Sequence, residues 1–173
     1  MVAAVVLAAG ASTRFGSPKQ RILLAPVLER VRRSAVDEVV VVLGAHEVET
    51  DARVVRCADW ERGPGASLRC GLDALPAAVD AAVVVLADGP DLDPAAIDRL
   101  IETWRETGAA ALAASYGGER GHPVLLARDL WPRIPDEGAR PLGAVLVGCD
   151  DLGAPGDVDF ADELPERPTE PRS

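Results

Sequence analysis

The chain has seventeen arginines and one lysine, and that lysine, Lys19, stands with Arg14 in a short loop after Gly10. A compact ammonium on a flexible stem suits phosphate as a point charge. Gly10 ends an uncharged apolar run, Val2 to Ala9, and Gly16 lies between Arg14 and Lys19. Glycine lets backbone N–H groups come close to an anion and converge on it. The loop is not a Walker A motif, because five residues separate Gly10 from Gly16 and Ser17-Pro18 precede Lys19. The G-x-G-x-x-G fingerprint is also absent. What remains is a phosphate cradle of another pattern, LAAGASTRFGSPK.

A second candidate is Asp88, which ends the apolar run Ala81 to Ala87 in LADGPDLDP. Mg²⁺ takes one or two carboxylates plus substrate phosphates and waters. Asp93-Pro94 is itself a helix start, with Asp as N-cap and Pro at the first helical position, which frees Asp88 for a ligand. The other use of Asp88 is an Asx turn. Asp157 and Asp159 read by themselves as an acidic surface turn. No nucleophile–base pair is evident, and Cys57, Cys70 and Cys149 have no recognisable partner. Phosphoryl-type transfer needs neither, since it works by positioning and charge stabilisation.

These residues need a scaffold. Val39 to Leu43, Arg53 to Cys57, Ala81 to Ala87, Ala109 to Ser115 and Pro123 to Ala127 read as strands after the first run. Helices are expected over Pro26 to Ser34, with Pro26 in its first turn, over Ser67 to Leu75, and from Pro94 to about Thr107, where Gly108 stops the last. Two short helices are expected at 129–134 and 139–147. Buried strands alternating with amphipathic helices make an α/β fold with a mostly parallel sheet covered on both faces. Ligands in such sheets sit beyond the carboxyl ends of the strands, which sets Gly10 to Lys19, Gly44 and Asp88 along one rim. The expected organisation is one domain, 1–164, and a disordered tail, 165–173, rich in Pro and charge.

Apolar residues make up 48% of the chain and aromatics 3%, a globular composition. A net charge of −10 argues against nucleic acid or an anionic membrane as partner. A nucleotide is still admissible, since charges beyond about 8 Å are largely screened. Three cysteines without C-x-x-C spacing predict no structural disulfide and no zinc site, and a reducing cytoplasm is the simplest setting. The apolar N-terminus lacks the basic flank of a signal peptide.

The pattern L-A-A-G-x-S-x-R-F-G-x-x-K resembles the signature loop of the MobA-like nucleotidyltransferases, and is most similar to that of the molybdenum cofactor cytidylyltransferases. Support comes, in order, from Trp60-x-x-Gly63-x-Gly65-x-Ser67-Leu68-Arg69-x-Gly71-Leu72, Asp88-x-Pro90, Gly121-His122-Pro123-Val124 and Gly138-Ala139-Arg140. The run Asp157-Val158-Asp159-Phe160-Ala161-x-x-Leu164 is similar to the family's closing motif, with Phe160 and Ala161 in place of Thr and Pro. The resemblance implies a single-domain, Rossmann-like three-layer sandwich of the nucleotide-diphospho-sugar transferase type. It implies nucleotide contacts from Leu7, Ala8, Ala9, Gly10, Ser12, Arg14, Lys19, Gly65, Ser67 and Asp88. Arg14, Lys19 and Asp88 would be catalytic, and Asp88 with Asp157 or Asp159 would hold Mg²⁺. His122 and Arg140 would meet the acceptor. The implied reaction moves CMP from CTP onto molybdopterin, with pyrophosphate released, and a molybdoenzyme is the implied partner. Ala9, where guanylyltransferases have a second Gly, favours CTP only by analogy.

Three departures stand out. Gly89 replaces a larger residue, and the segments 20–38 and 142–157 are short. Two alternatives follow: transfer to another small phosphorylated acceptor, or a non-catalytic nucleotide-binding accessory protein.

Overall fold

The computed structural model describes residues 1–10 and 20–156, apart from the side chains of Gln20 and Arg21. The strands are β1 (Val2–Ala8), β2 (Glu38–Leu43), β3 (Arg53–Arg56), β4 (Ala81–Leu86), β5 (Ala111–Tyr116), β6 (Glu119–Ala127) and β7 (Val145–Gly148). They form one sheet in the order β3-β2-β1-β4-β6-β5-β7. Only β6 runs antiparallel to its neighbours, β4 and β5; the other pairings are parallel. The helices are α1 (Gln20–Arg32), α2 (Pro64–Asp73) and α3 (Pro94–Thr107).

The continuous apolar runs are explained by burial on both faces. In β1, Val2, Ala4, Val6 and Ala8 point into the core under α1 and α3, with Leu24, Val27, Ile97 and Leu100. Ala3 and Val5 point the other way, into the core under α2, with Leu68, Leu72 and Trp131. β2 and β4 alternate in the same manner. This is the three-layer sandwich expected from the sequence, with a mostly parallel sheet.

Several local expectations need correction. Helix α1 begins at Gln20, so Pro26 lies in its interior. An interior proline removes a helical hydrogen bond and crowds the preceding turn. Leu24, Val27, Leu28 and Val31, all buried at the helical spacing of three and four, hold the helix together across it. Helix α2 starts at Pro64, three residues before Ser67, because Gly63 is its N-cap and Pro64 takes the first position. The stretch 139–147 is not a helix. A single 3-10 turn, Arg140–Leu142, ends at Gly143, whose φ of 74° breaks it, and Val145 to Gly148 join the sheet beside β5. The segment 129–134 is a 3-10 turn, Arg128–Arg133.

The cysteine expectation is also overturned. Cys57 and Cys70 form a disulfide, with their Cα atoms 5.7 Å apart. Cys57 follows β3 and Cys70 lies on α2, so the tertiary fold, not local spacing, brings them together. This removes the cysteine argument for a reducing compartment. Cys149 is free and buried. No helix among the described residues is long and apolar enough to cross a membrane.

Helix α3 matches its sequence signals. The Asp93 carboxylate accepts from the Ala95 N–H at 2.9 Å. Gly108 closes the helix at φ 64°, donating to the Trp104 carbonyl.

Candidate active site

The carboxyl ends of β1, β2 and β4 are level, with Ala8 opposite Leu43 and Leu7 opposite Leu86. Two main-chain bonds extend this rim: Ala45 donates to the Ala9 carbonyl and Ala87 to that of Leu7. A Cβ at Gly44 would lie 2.6 Å from Trp60 Cγ and 2.8 Å from the Ala9 oxygen. Glycine at 44 therefore lets Trp60 brace the end of β1, where the Gly10 loop begins. Ala9 is 6% exposed, with its methyl in the core on the α2 side, whereas Gly10 is exposed. Ser12, Arg14 and Lys19 lie outside the described residues, as do Asp157 and Asp159 and the expected tail 165–173.

Asp88 is half-buried in the turn that follows β4, on the same rim. Pro155 and Gly156 pack over that turn. Asp91 donates to the Pro155 carbonyl at 3.0 Å, and a Cβ at Gly89 would lie 3.1 Å from Pro155 Cβ. A larger residue at 89 would push the closing segment away, which accounts for that departure. Gly156, the residue before Asp157, is thereby held against the Asp88 turn. A carboxylate at the end of a strand is a donor of the kind that holds Mg²⁺ together with substrate phosphates and waters. Among the described residues no three His, Cys, Asp or Glu side chains cluster as a metal cage.

The start of α2 departs from expectation. The Gly65 N–H is not available to a ligand, because it donates to the Asp136 carbonyl at 2.8 Å. A Cβ there would lie 1.7 Å from the Pro135 oxygen, so Gly65 admits the 135–136 loop. Ser67 is not the cap; it is 4% exposed inside the first turn. Arg69 donates to the Ile134 carbonyl at 2.6 Å and pairs with Asp136, and Arg62 pairs with the same carboxylate at 3.1 Å. The hydrogen bond from Arg69, aided by Arg62, holds the Asp136 carboxyl below its usual range. Gly71 fits α2 to the sheet, since a Cβ there would lie 2.6 Å from Val5 Cγ1 and 2.7 Å from Val42 Cγ2. This segment positions a loop and a helix, and leaves Pro64 and Leu68 to face the cleft.

That cleft, of about 340 Å³, is bounded by Leu7, Leu68, Leu86, Arg120, His122 and Arg140, among others. A second, largely apolar cavity of about 270 Å³ adjoins it, under Pro155 and beside Tyr116. Leu86, Gly121 and His122 belong to both. Tyr116 Oη donates to the His122 carbonyl at 3.0 Å, and the His122–Pro123 peptide is cis. Burial lowers the His122 pKa from its ordinary value; Arg120 and Arg140 act in the same sense and Asp88 opposes them. The imidazole is therefore neutral at pH 7, within electrostatic reach of all three groups. Burial pushes the Tyr116 hydroxyl up to about 12.

The structure thus brings His122 and Arg140 into one cleft with Leu7 and near Asp88. It also adds Arg120, whose Nη1 donates to the Arg140 carbonyl at 3.0 Å. Arg120 sits where the β5–β6 register shifts, between Ala113 and Ser115, and such irregularities re-aim side chains beside active sites. Its place directly before Gly121-His122-Pro123 was the available signal.

Comparison with known proteins agrees with this geometry. Residues 4–147 match the MobA-like NTP transferase domain. The bifunctional protein GlmU of Mycobacterium ulcerans is 38% identical over 147 residues, covering 72% of this chain and 30% of that protein. The chain therefore spans less than a third of the length of that curated relative. Rv0371c of Mycobacterium tuberculosis H37Rv is 28% identical, with a TM-score of 0.80 and 93% of each chain covered. A complex of Rv0371C with manganese, from the same organism, is 24% identical with a TM-score of 0.68, over 86% of this chain and 88% of that one. The chain belongs to the MobA-like NTP transferase family.

Proposed function

We propose that the chain transfers CMP from CTP to molybdopterin, with Mg²⁺ as cofactor and pyrophosphate as the second product. The observation that carries this reading is the placing of Asp88 on the rim where the β1 loop begins, within electrostatic reach of His122 in the cleft that also holds Arg120 and Arg140. Leu7, Ala8, Ala9, Gly10 and Ser12 take the nucleotide at the end of β1. Gly65 and Ser67 act from behind it, by fixing the start of α2. Arg14 and Lys19 neutralise the triphosphate. An acceptor phosphate oxygen attacks the α-phosphorus in line, the bond to the β-phosphate oxygen breaks, and pyrophosphate leaves with that electron pair. Asp88, with Asp157 or Asp159, would hold Mg²⁺, which when bound supplies positive charge to the triphosphate oxygens. The manganese in the Rv0371C complex supports a divalent cation. Ala9 supports CTP by resemblance alone. A molybdoenzyme is the recipient of the product in this reading, and the cytoplasm is its place.

A second reading, transfer to another small phosphorylated acceptor, is favoured by the short segment 142–157, a departure on the acceptor side of the resemblance. Pyrophosphate release with CTP and a panel of acceptors separates the two. The proposed function expects release with molybdopterin and its loss in Asp88→Ala, while the variant's far-UV circular dichroism stays native. Full activity in Asp88→Ala, or release only with other acceptors, would contradict it.

A further inference from the structure

The Cys57–Cys70 disulfide closes a ring that holds parts of both halves of the site. Between the two cysteines lie Trp60, which braces the end of β1 across Gly44, and Pro64 and Leu68, which line the cleft. Cys57 is 2% exposed, in the core under α2 with Leu68 and Leu72, and Trp60 packs against that core. Cys70 is only half-buried on α2, so its end of the bond is the one open to a reductant. The Cys57 sulfur lies 3.5 Å from the Ala66 carbonyl oxygen, in the first turn of α2. A disulfide sulfur has no proton to give that oxygen, whereas a thiol donates one. The fold thus supplies a partner for the reduced sulfur as well as for the bonded one. Bonded sulfurs stand about 2.05 Å apart, and unbonded atoms need about 3.5–4 Å. In a close-packed interior that separation displaces neighbours. Gly71 fits α2 tightly against Val5 and Val42, so the displacement falls on the other side of the ring, the segment with Trp60.

We propose that the Cys57–Cys70 pair is a redox switch for the nucleotide site. Oxidised, it holds Trp60 against the start of the Gly10 loop; reduced, it loosens that brace and nucleotide affinity falls. This rests on the reading of the β1 loop as the nucleotide cradle. The reductant is a dithiol. One of its thiolates attacks the Cys70 sulfur, the S–S bond breaks, and the electron pair, with a proton, ends on Cys57. The second thiolate attacks the mixed disulfide, and Cys70 leaves as a thiolate that takes up a proton. The dithiol becomes a disulfide, and the protein gains the two electrons and two protons. Linkage makes the effect reciprocal: bound nucleotide renders the disulfide harder to reduce by the same factor.

The test titrates CTP with Mg²⁺ calorimetrically into the full chain, equilibrated with oxidised or with reduced dithiothreitol, and counts free thiols in denaturant. The thiol count should rise from one, Cys149, to three. Affinity should fall roughly tenfold on reduction, an ordinary size for coupling between sites, and return on reoxidation. Cys57→Ser/Cys70→Ser should bind like the reduced wild type and ignore reductant, and Cys149→Ala should keep the full response. The indole N–H resonance of Trp60 should shift on reduction, with or without nucleotide. That of Trp104, packed against the core on the other face of the sheet, should stay in place. Equal affinity in both redox states, an unmoved Trp60 resonance, three free thiols in the oxidised sample, or loss of native far-UV circular dichroism on reduction each overturns the switch. A Trp60 shift without CTP binding in either state overturns the nucleotide reading of the loop instead, while supporting the coupling of the disulfide to Trp60.

Discussion

Asp136 helps to organise the cleft although it does not line it. Its carboxylate takes Arg62 and Arg69, and its carbonyl takes the Gly65 N–H, so the loop carrying Glu137 to Arg140 is tied to α2. Its pKa is depressed in the folded chain, chiefly by the Arg69 hydrogen bond. A depressed carboxyl contributes its stability above the unfolded pKa, about 3.9, and loses it as pH falls through the lower folded value. Asp136→Asn should thus be less stable than wild type by a constant margin above about pH 4, narrowing below it. Urea unfolding from about pH 6 to about pH 2 checks this, and a margin that stays constant across the range would contradict it. At this scale the sequence was uneven in what it disclosed. The caps Asp93 and Gly108 were legible because their bonds are local. Gly65 and Ser67 were read as pocket residues, because a motif records which residues recur together and not whether they face the ligand or its support. Arg120 carried only its charge, and a charge is informative once its partners are known.

Among the elements, β1, β2 and β4 announced themselves through uncharged apolar runs, since burial on both faces leaves no polar position. Strand β7 did not, because Val145 and Leu146 at the sheet edge are exposed and the run is four residues long. Helix α1 was placed late because Pro26 looked like a start, while the stripe from Leu24 to Val31 runs through it. The disulfide was illegible for a related reason: Cys57 and Cys70 belong to different elements, 13 residues apart. It ties the end of β3 to α2, the helix that carries the cleft wall. Closing a loop of this length stabilises a chain by about 3 kcal/mol in the loop-entropy account. The urea midpoint should therefore fall on reduction with dithiothreitol, and should be indifferent to reductant in Cys57→Ser/Cys70→Ser. Equal midpoints for the wild type with and without reductant would contradict the tie.

For the molecule as a whole, the order β3-β2-β1-β4-β6-β5-β7 makes β4 the switch between parallel and antiparallel pairing. Its carboxyl end carries Asp88, and its neighbours supply the β1 loop on one side and His122 on the other. That position, the rim site of an open sheet, was legible from alternating strands and helices alone. The lining of the cleft beside it was not, because Arg120 and Arg140 meet there from separate segments of the chain. An acidic chain holds an anionic nucleotide only if local charge outweighs the net −10, and Arg14 and Lys19 stand close together in the sequence after Gly10. The most direct test is calorimetric titration of CTP, GTP, ATP and UTP into the wild type and Lys19→Ala, each with and without Mg²⁺. The account predicts Mg²⁺-dependent binding, tightest for CTP and weakened roughly tenfold or more in Lys19→Ala, the worth of one charge-assisted contact. Binding of no nucleotide, or equal binding in Lys19→Ala, would contradict the claim that this loop cradles the triphosphate.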